Sequence, residues 1–118
     1  MGQEDPDLAA SYMSLGLNYC DTNYELAVEY SEKALHSLKR SHGSDHPYVA
    51  HVNCNLGWIH HRNGGYELGV HHYKRALASY RKTVGDKHPE TMMTCNNFGV
   101  LYSDVVIIGR RLSFWREH

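Results

Sequence analysis

The sequence lacks the features of a disulfide-rich secreted domain or a membrane protein. Its 118 residues contain only three cysteines, Cys20, Cys54 and Cys95, an odd number without a Cys-x-x-Cys pair. This pattern indicates free thiols in a reducing compartment. No apolar run approaches the ~20 residues of a membrane-spanning helix, and the polar Met1–Asp7 segment has no apolar signal core. We therefore expect a cytoplasmic protein without membrane contact.

An excess of charge of either sign is also missing. There are 12 Lys and Arg against 13 Asp and Glu, which gives a net charge of −1 at pH 7 with neutral histidines. Without a long basic stripe we expect no nucleic-acid binding. No nucleophile elbow, phosphate-binding glycine loop or His-Glu-x-x-His helix occurs either. The sequence therefore predicts neither an enzyme nor a cofactor.

The chain contains ten histidines, and their spacing indicates whether they could bind a metal ion. The adjacent pairs His60–His61 and His71–His72 would point to different faces of a helix, so neither pair can chelate well. His46 and His88 precede prolines in a repeated loop and are expected to be structural. The helical i, i+4 histidine pair with a nearby acid that is typical of zinc sites is absent. We expect no metal.

What the chain does contain is an internal repeat of 42 residues. Gly43 aligns with Gly85, and His46–Pro47 aligns with His88–Pro89. The offset falls to 41 between the first helices of the first two units, and the extra residue lies at Asn63–Gly65, where a surface turn tolerates it. Self-similarity of this length is typical of stacked-repeat proteins.

Within each unit, apolar residues recur at steps of three and four, which predicts helices, and no segment alternates with a period of two. Asp5 before Pro6 is expected to cap the first helix. The predicted breaks between helices are Asp21–Asn23, Gly43, Asn63–Gly65 and Gly85. The predicted units are residues 5–46, 47–88 and a partial 89–102.

The 42-residue repeat is not maintained after Tyr102. Residues 103–118 carry β-branched and aromatic side chains without a clear helical period. This divergent tail is interpreted either as a degenerate helix or as an ending unrelated to the array, as in a truncated or alternatively spliced product.

One motif occurs once in the first helix of each of the three units. Its copies are Tyr12-x2-Leu15-Gly16-x2-Tyr19, Asn53-x2-Leu56-Gly57-x2-His60 and Cys95-x2-Phe98-Gly99-x2-Tyr102. It resembles the signature of the tetratricopeptide repeat. The resemblance covers residues 5–102 and implies an all-α, right-handed α-solenoid of about two and a half antiparallel helix hairpins. The 42-residue period looks like the subgroup found in kinesin light chains and nephrocystin-like proteins. The motif glycines are expected to allow close helix approach, since a glycine inside a helix costs about 1 kcal/mol against alanine.

The chain also departs from the family pattern. Asn53 and Cys95 replace the opening aromatic residue, and His60 replaces the tyrosine. In the second helices, Ser31 stands where the next unit has Tyr73.

In the family the first helices line a concave groove that receives peptides or helices, so the resemblance implies a protein-interaction scaffold. Trp58, with His61 and Arg62 one turn later, is the strongest anchor candidate, since Trp and Arg often dominate interfaces. The alternative is that Trp58 only packs between units. The groove positions are Met13, Leu17, Cys20, Asp21, His51, Cys54, Trp58, His61, Arg62, Met93, Asn96, Val100 and Asp104.

Two family subtypes can be compared at these positions. The clamp for chaperone C-terminal carboxylates needs asparagines where this chain has Leu17, Trp58 and Val100, so that function is not expected. Kinesin-light-chain-like arrays hold the peptide backbone with groove asparagines, of which only Asn96 matches. The second function considered is self-association. Roughly three repeats are needed for stability, so either the tail folds over the last hairpin or a second chain covers it.

Overall fold

Each helical pattern in the sequence becomes a helix in the computed structural model, which describes residues 6–117 and the side chains of residues 8–112. The helices are α1 (Pro6–Asn18), α2 (Tyr24–His42), α3 (Pro47–Arg62), α4 (Tyr66–Thr83) and α5 (Pro89–Glu117). No strand occurs between residues 6 and 117. The all-α fold class is confirmed. Asp5, the expected cap of α1, lies outside the described residues.

The helices pack as successive hairpins. α1 packs mainly on α2 and α3 mainly on α4, while α2 against α3 and α4 against α5 join one hairpin to the next. Since the connections are short, consecutive helices run antiparallel. The chain is therefore a helical repeat array, and its right-handedness stays a prediction.

The repeated loop before α3 and α5 starts and caps these helices in the same way. Gly43 and Gly85 have φ angles of 85° and 90°, a region that favours glycine. Three residues after each glycine, the Nδ1 atoms of His46 and His88 each accept a 3.1 Å hydrogen bond from the amide two residues further along. Burial and the neighbouring His42 lower the pKa of His46, which favours the neutral ring that can accept. Both loop histidines thus have the structural role expected of them.

The core consists of three clusters of buried side chains between the helices. The largest joins α1, α2 and α3, the second joins α3, α4 and α5, and the third lies under the end of α1. Together these clusters hold the two hairpins and α5 in one stack. Their members are, in that order, Ala9, Ala34, Leu35, Leu38, Val49, Val52 and Leu56; Cys54, Tyr73, Ala76 and Leu101; and Cys20, Ala27 and Ile59.

The motif glycines differ in what surrounds them. A Cβ atom added to Gly57 would lie 2.7 Å from the ring of Tyr73, and one added to Gly16 would meet the Oγ of Ser31. At Gly99 an added Cβ would meet nothing within 4 Å. The expectation of close helix approach holds at the first two glycines and is wrong at Gly99, because no described helix packs on that side of α5.

Helix α5 crosses the expected boundary at residue 102 without a break and continues to Glu117. Residues 103–117 are therefore helical. Val106, Ile107 and Leu112 are between 47% and 59% exposed, so this part of α5 extends past the body of the stack. In the described part of the chain no helix, α5 included, is long and apolar enough to cross a membrane.

Candidate functional site

The first helices of the three units, α1, α3 and α5, enclose a pocket of about 230 Å³. Its floor and walls are mainly apolar, and three side chains with amide or imidazole groups complete it. Leu17, His51, Cys54, Asn55, Trp58, Met93 and Asn97 line it. Five of these were predicted for the groove from the sequence: Leu17, His51, Cys54, Trp58 and Met93. The structure brings together these residues from all three units.

Trp58 stands between this pocket and a second one of about 320 Å³. The guanidinium carbon of Arg62 lies 5.5 Å from the centre of the Trp58 ring, a cation–π distance. His61 meets the same indole edge-on at 6.0 Å and an angle of 83°. Val100 and Asp104 of α5 also line this second pocket. The groove therefore has an aromatic centre with polar groups at one end.

Two side-chain bridges fasten that end of the groove. Arg62 donates from Nε and from a terminal nitrogen to Asp21, at 3.0 and 2.9 Å. The Nε2 atom of His61 donates to Asp104 at 2.6 Å. The first bridge joins units one and two, and the second joins units two and three. Since Arg62 and Asp21 are both largely solvent-exposed, the first bridge contributes orientation more than stability, whereas the second has a buried partner in His61.

A comparison with protein families identifies this architecture. The family model described as tetratricopeptide repeat matches residues 7–82, which is more than half of the chain. The chain belongs to the tetratricopeptide repeat family. No curated protein matches it. Tetratricopeptide repeats generally mediate protein–protein interactions rather than catalysis, and this supports a binding role for the chain. The matched range ends in α4, so α5 lies beyond it.

The remaining predicted residues of the tetratricopeptide groove lie elsewhere. Cys20 is buried beneath the end of α1, where burial raises the pKa of its thiol. Met13 packs against the largest core cluster, and Asn96 is exposed beside the pocket without lining it. Trp58 also packs on the third core cluster, so it combines packing between units with a place in the groove.

Sequence reasoning missed two groove residues, Asn55 and Asn97. Both line the first pocket, and they are separated by 42 residues, the repeat period itself. The positions expected to carry groove asparagines hold Cys54 and Asn96, one residue earlier in each unit. An identical polar residue at one repeat position was the signal that could have identified them.

A polar network runs from α4 through α3 to α2, within the second tetratricopeptide unit and across to the first. The Nδ1 atom of His72 donates to Asn53 Oδ1 at 2.9 Å, and a hydrogen bond of 2.7 Å joins the Tyr24 hydroxyl to His60 Nδ1. The rings of His60 and His72 stack with centres 5.3 Å apart and an angle of 11°. Asn53 and His60 are both departures from the family motif, and His72 contacts both of them. The departures therefore compensate one another through a shared histidine.

This network makes folding sensitive to acid. Burial, followed by the basic neighbours His60, His71, Arg75 and Lys39, lowers the pKa of His72 from 6.5 to about 4. The unfolded chain binds this proton near pH 6.5 and the folded chain only near pH 4. Stability is therefore full above pH 6.5 and falls as the pH drops towards 4.

We expect a loss of about 1–2 kcal/mol across that window, after discounting for solvent screening of a partly exposed ring. Urea unfolding at pH 7.0, 5.5 and 4.5 measures it. His72→Gln, which keeps a donor for Asn53 but does not titrate, should flatten the dependence. An equally steep decline in this variant would show that His72 does not cause it.

The described residues offer little for catalysis. No group of three His, Cys, Asp or Glu converges on a possible metal position among them. Cys54, at the floor of the first pocket, is buried, and burial raises the pKa of its thiol although Thr94 donates to the sulfur at 3.4 Å. A thiol that stays protonated is a poor nucleophile. The arrangement is suited to binding.

Proposed function

We propose that the chain binds a segment of a partner protein in the concave groove formed by α1, α3 and α5. The observation that carries this proposal is the first pocket, where Trp58 meets Leu17, Cys54 and Met93. A pocket built from three successive repeats needs the whole stack to form it. Its position also agrees with the interaction role of the family.

The size and chemistry of the pocket favour a peptide over a small molecule. Its volume of about 230 Å³ is below the roughly 300–1,000 Å³ of small-molecule sites, but it suits one or two apolar side chains. The amides of Asn55 and Asn97 can donate to and accept from a peptide backbone beside those side chains. The 42-residue period and these asparagines support a kinesin-light-chain-like or nephrocystin-like subtype, in which groove asparagines hold the peptide backbone.

The location proposed for this binding is the cytoplasm. Cys20, Cys54 and Cys95 are all free thiols, as expected in a reducing compartment. Neither a metal nor a cofactor is needed for recognition through shape and a few anchors.

The double variant Trp58→Ala/Arg62→Ala tests the groove. Partners captured from a lysate by the wild-type chain are identified, purified and titrated against both proteins. Loss of a groove anchor costs about 2 kcal/mol, so the affinity should fall roughly 30-fold. The control Leu68→Ala/Lys74→Ala lies on the outer surface of α4 and should bind as the wild type does.

Because Trp58 also contacts the core, circular dichroism and thermal melts must show that the double variant is folded. Equal affinities for the folded double variant and the wild type would contradict the groove assignment.

A second candidate function, self-association, is favoured by the far part of α5. Val106, Ile107, Ile108 and Leu112 are all more than a third exposed, an apolar surface of the kind that marks contact sites. Sedimentation equilibrium should then give a mass that rises with concentration in the micromolar range, and Ile107→Glu should lower it. A strict monomer across that range would exclude this function.

A further inference from the structure

One side of α5 is exposed although the equivalent side of the first helix in each earlier unit is covered by the second helix of that unit. On α3 the equivalent residues Asn53 and His60 are 3% and 4% exposed, because α4 lies over them. On α5 the matching Cys95 and Gly99 are exposed and Tyr102 is 47% exposed. We call Cys95, Gly99 and Tyr102 the α5 stripe.

The covered units show what kind of helix fits this position. In both, the covering helix places small residues at i and i+7 and directs the residue at i+4 onto the motif glycine. Ser31 lies on Gly16, and the ring of Tyr73 lies on Gly57. All of these contact residues are buried: Ala27, Ser31 and Ala34 on α2, and Gly69, Tyr73 and Ala76 on α4. Helix packing across a motif glycine is thus an established interface of this chain, and the α5 stripe continues it.

We propose that the α5 stripe receives an amphipathic helix of a partner protein and so forms a third hairpin in trans. The partner helix has small residues at i and i+7 and a Ser or aromatic residue at i+4, as α2 and α4 do. The helices α2 and α4 cannot serve, since each already covers its own unit. This surface is separate from the concave groove.

Charge narrows the chemistry of the partner. Between Thr91 and Gly109 the only charged residue is Asp104, and its carboxylate bonds His61 on the groove side of α5. The α5 stripe is therefore uncharged along its whole length. A terminal nitrogen of Arg81 lies 3.9 Å from Cys95 Sγ, so the charge bordering the α5 stripe there is positive. A helix with a Lys or Arg on its contact face would lose the hydration of that charge without gaining a partner.

A partner helix would cover only part of α5, and a glycine beyond that part provides a matched control for Gly99. In the second unit the turn at residues 63–65 ends the paired region, and the corresponding point on α5 is residues 105–107. A partner helix thus covers α5 only as far as this point, and Gly109 lies beyond it. An added Cβ meets nothing within 4 Å at Gly109, as at Gly99. The same substitution at both glycines separates docking from effects on the helix itself.

The probe is a labelled synthetic peptide with the sequence of α4, residues 66–83, titrated by fluorescence anisotropy into the full chain. We expect saturable binding to the wild type and to Gly109→Leu with the same affinity. Gly99→Leu should bind at least tenfold more weakly, because the added side chain blocks the approach. A peptide carrying Ala76→Lys should lose binding to a similar degree. Met93→Glu in the groove should leave binding of the peptide unchanged.

Three results would overturn the proposal. The first is no binding at peptide concentrations up to about 1 mM, where an interaction is worth only about 4 kcal/mol. The second is equal binding to Gly99→Leu, which would locate the peptide elsewhere. The third is a dimer that Gly99→Leu dissociates and the peptide cannot displace, which would make a second copy of the chain the occupant.

Discussion

Gly57→Ala should destabilise the protein by about 1–2 kcal/mol, although alanine is the better helix former. The added Cβ would lie 2.7–2.9 Å from three ring atoms of Tyr73, and that ring is fully buried and cannot move aside. Overpacking of this kind costs about 1–3 kcal/mol, against which the helix propensity of alanine returns less than 1 kcal/mol. The clash therefore dominates.

The matched control is Gly99→Ala, which makes the same change at the same repeat position. Because nothing lies within 4 Å of its added Cβ, only the propensity gain remains, and the free energy of unfolding should rise by about 0.5–1 kcal/mol. Urea denaturation of both variants measures the difference. If both glycines responded with the same sign, the covered and uncovered sides of α3 and α5 would be assigned wrongly.

Tyr73→Ala should cost about 3–5 kcal/mol, the range for removing a large aromatic side chain from a core. Tyr73 is 0% exposed and stacks on Phe98 of α5 at 5.9 Å between ring centres. It is therefore the side chain on which the second hairpin and α5 both pack. In a domain of this size such a loss is a large part of the total stability.

Tyr73→Phe separates the ring from its hydroxyl. The Tyr73 hydroxyl is buried and has no hydrogen-bond partner among the described residues, so removing it should be neutral or stabilising by up to about 1 kcal/mol. Thermal unfolding of both variants measures the contrast. A large loss in Tyr73→Phe would show that the hydroxyl has a partner and that the packing account is incomplete.

The helices and turns could be predicted from the sequence because both depend on local signals. Periodic apolar residues set the helices, and the breaks at Asp21–Asn23, Gly43, Asn63–Gly65 and Gly85 all fall between helices in the structure. The repeat supplied the family, since copies of one unit must pack alike. Of the groove, five pocket residues were predicted because repeat position determines which face of a first helix they occupy.

The features that could not be predicted depend on which helix packs against a residue, and the position of a residue in the repeat does not reveal this. Gly99 has the motif of Gly57 but no covering helix, because α5 continues where the earlier units turn. The compensation of Asn53 and His60 through His72 joins residues up to 19 apart on different helices. Which asparagine lines the pocket also depends on how α5 sits against α1 and α3, and the structure has Asn97 there rather than Asn96.

The central claim is that the concave groove of this tetratricopeptide repeat protein is its binding surface. Met93 in the groove and Leu68 on the outer side of α4 are 49% and 48% exposed, so each can be changed to glutamate with little effect on the core. The measurement is the affinity of one purified partner for Met93→Glu and for Leu68→Glu. The account predicts at least a tenfold loss for Met93→Glu and wild-type affinity for Leu68→Glu. Equal affinities, or a loss at Leu68 alone, would contradict it.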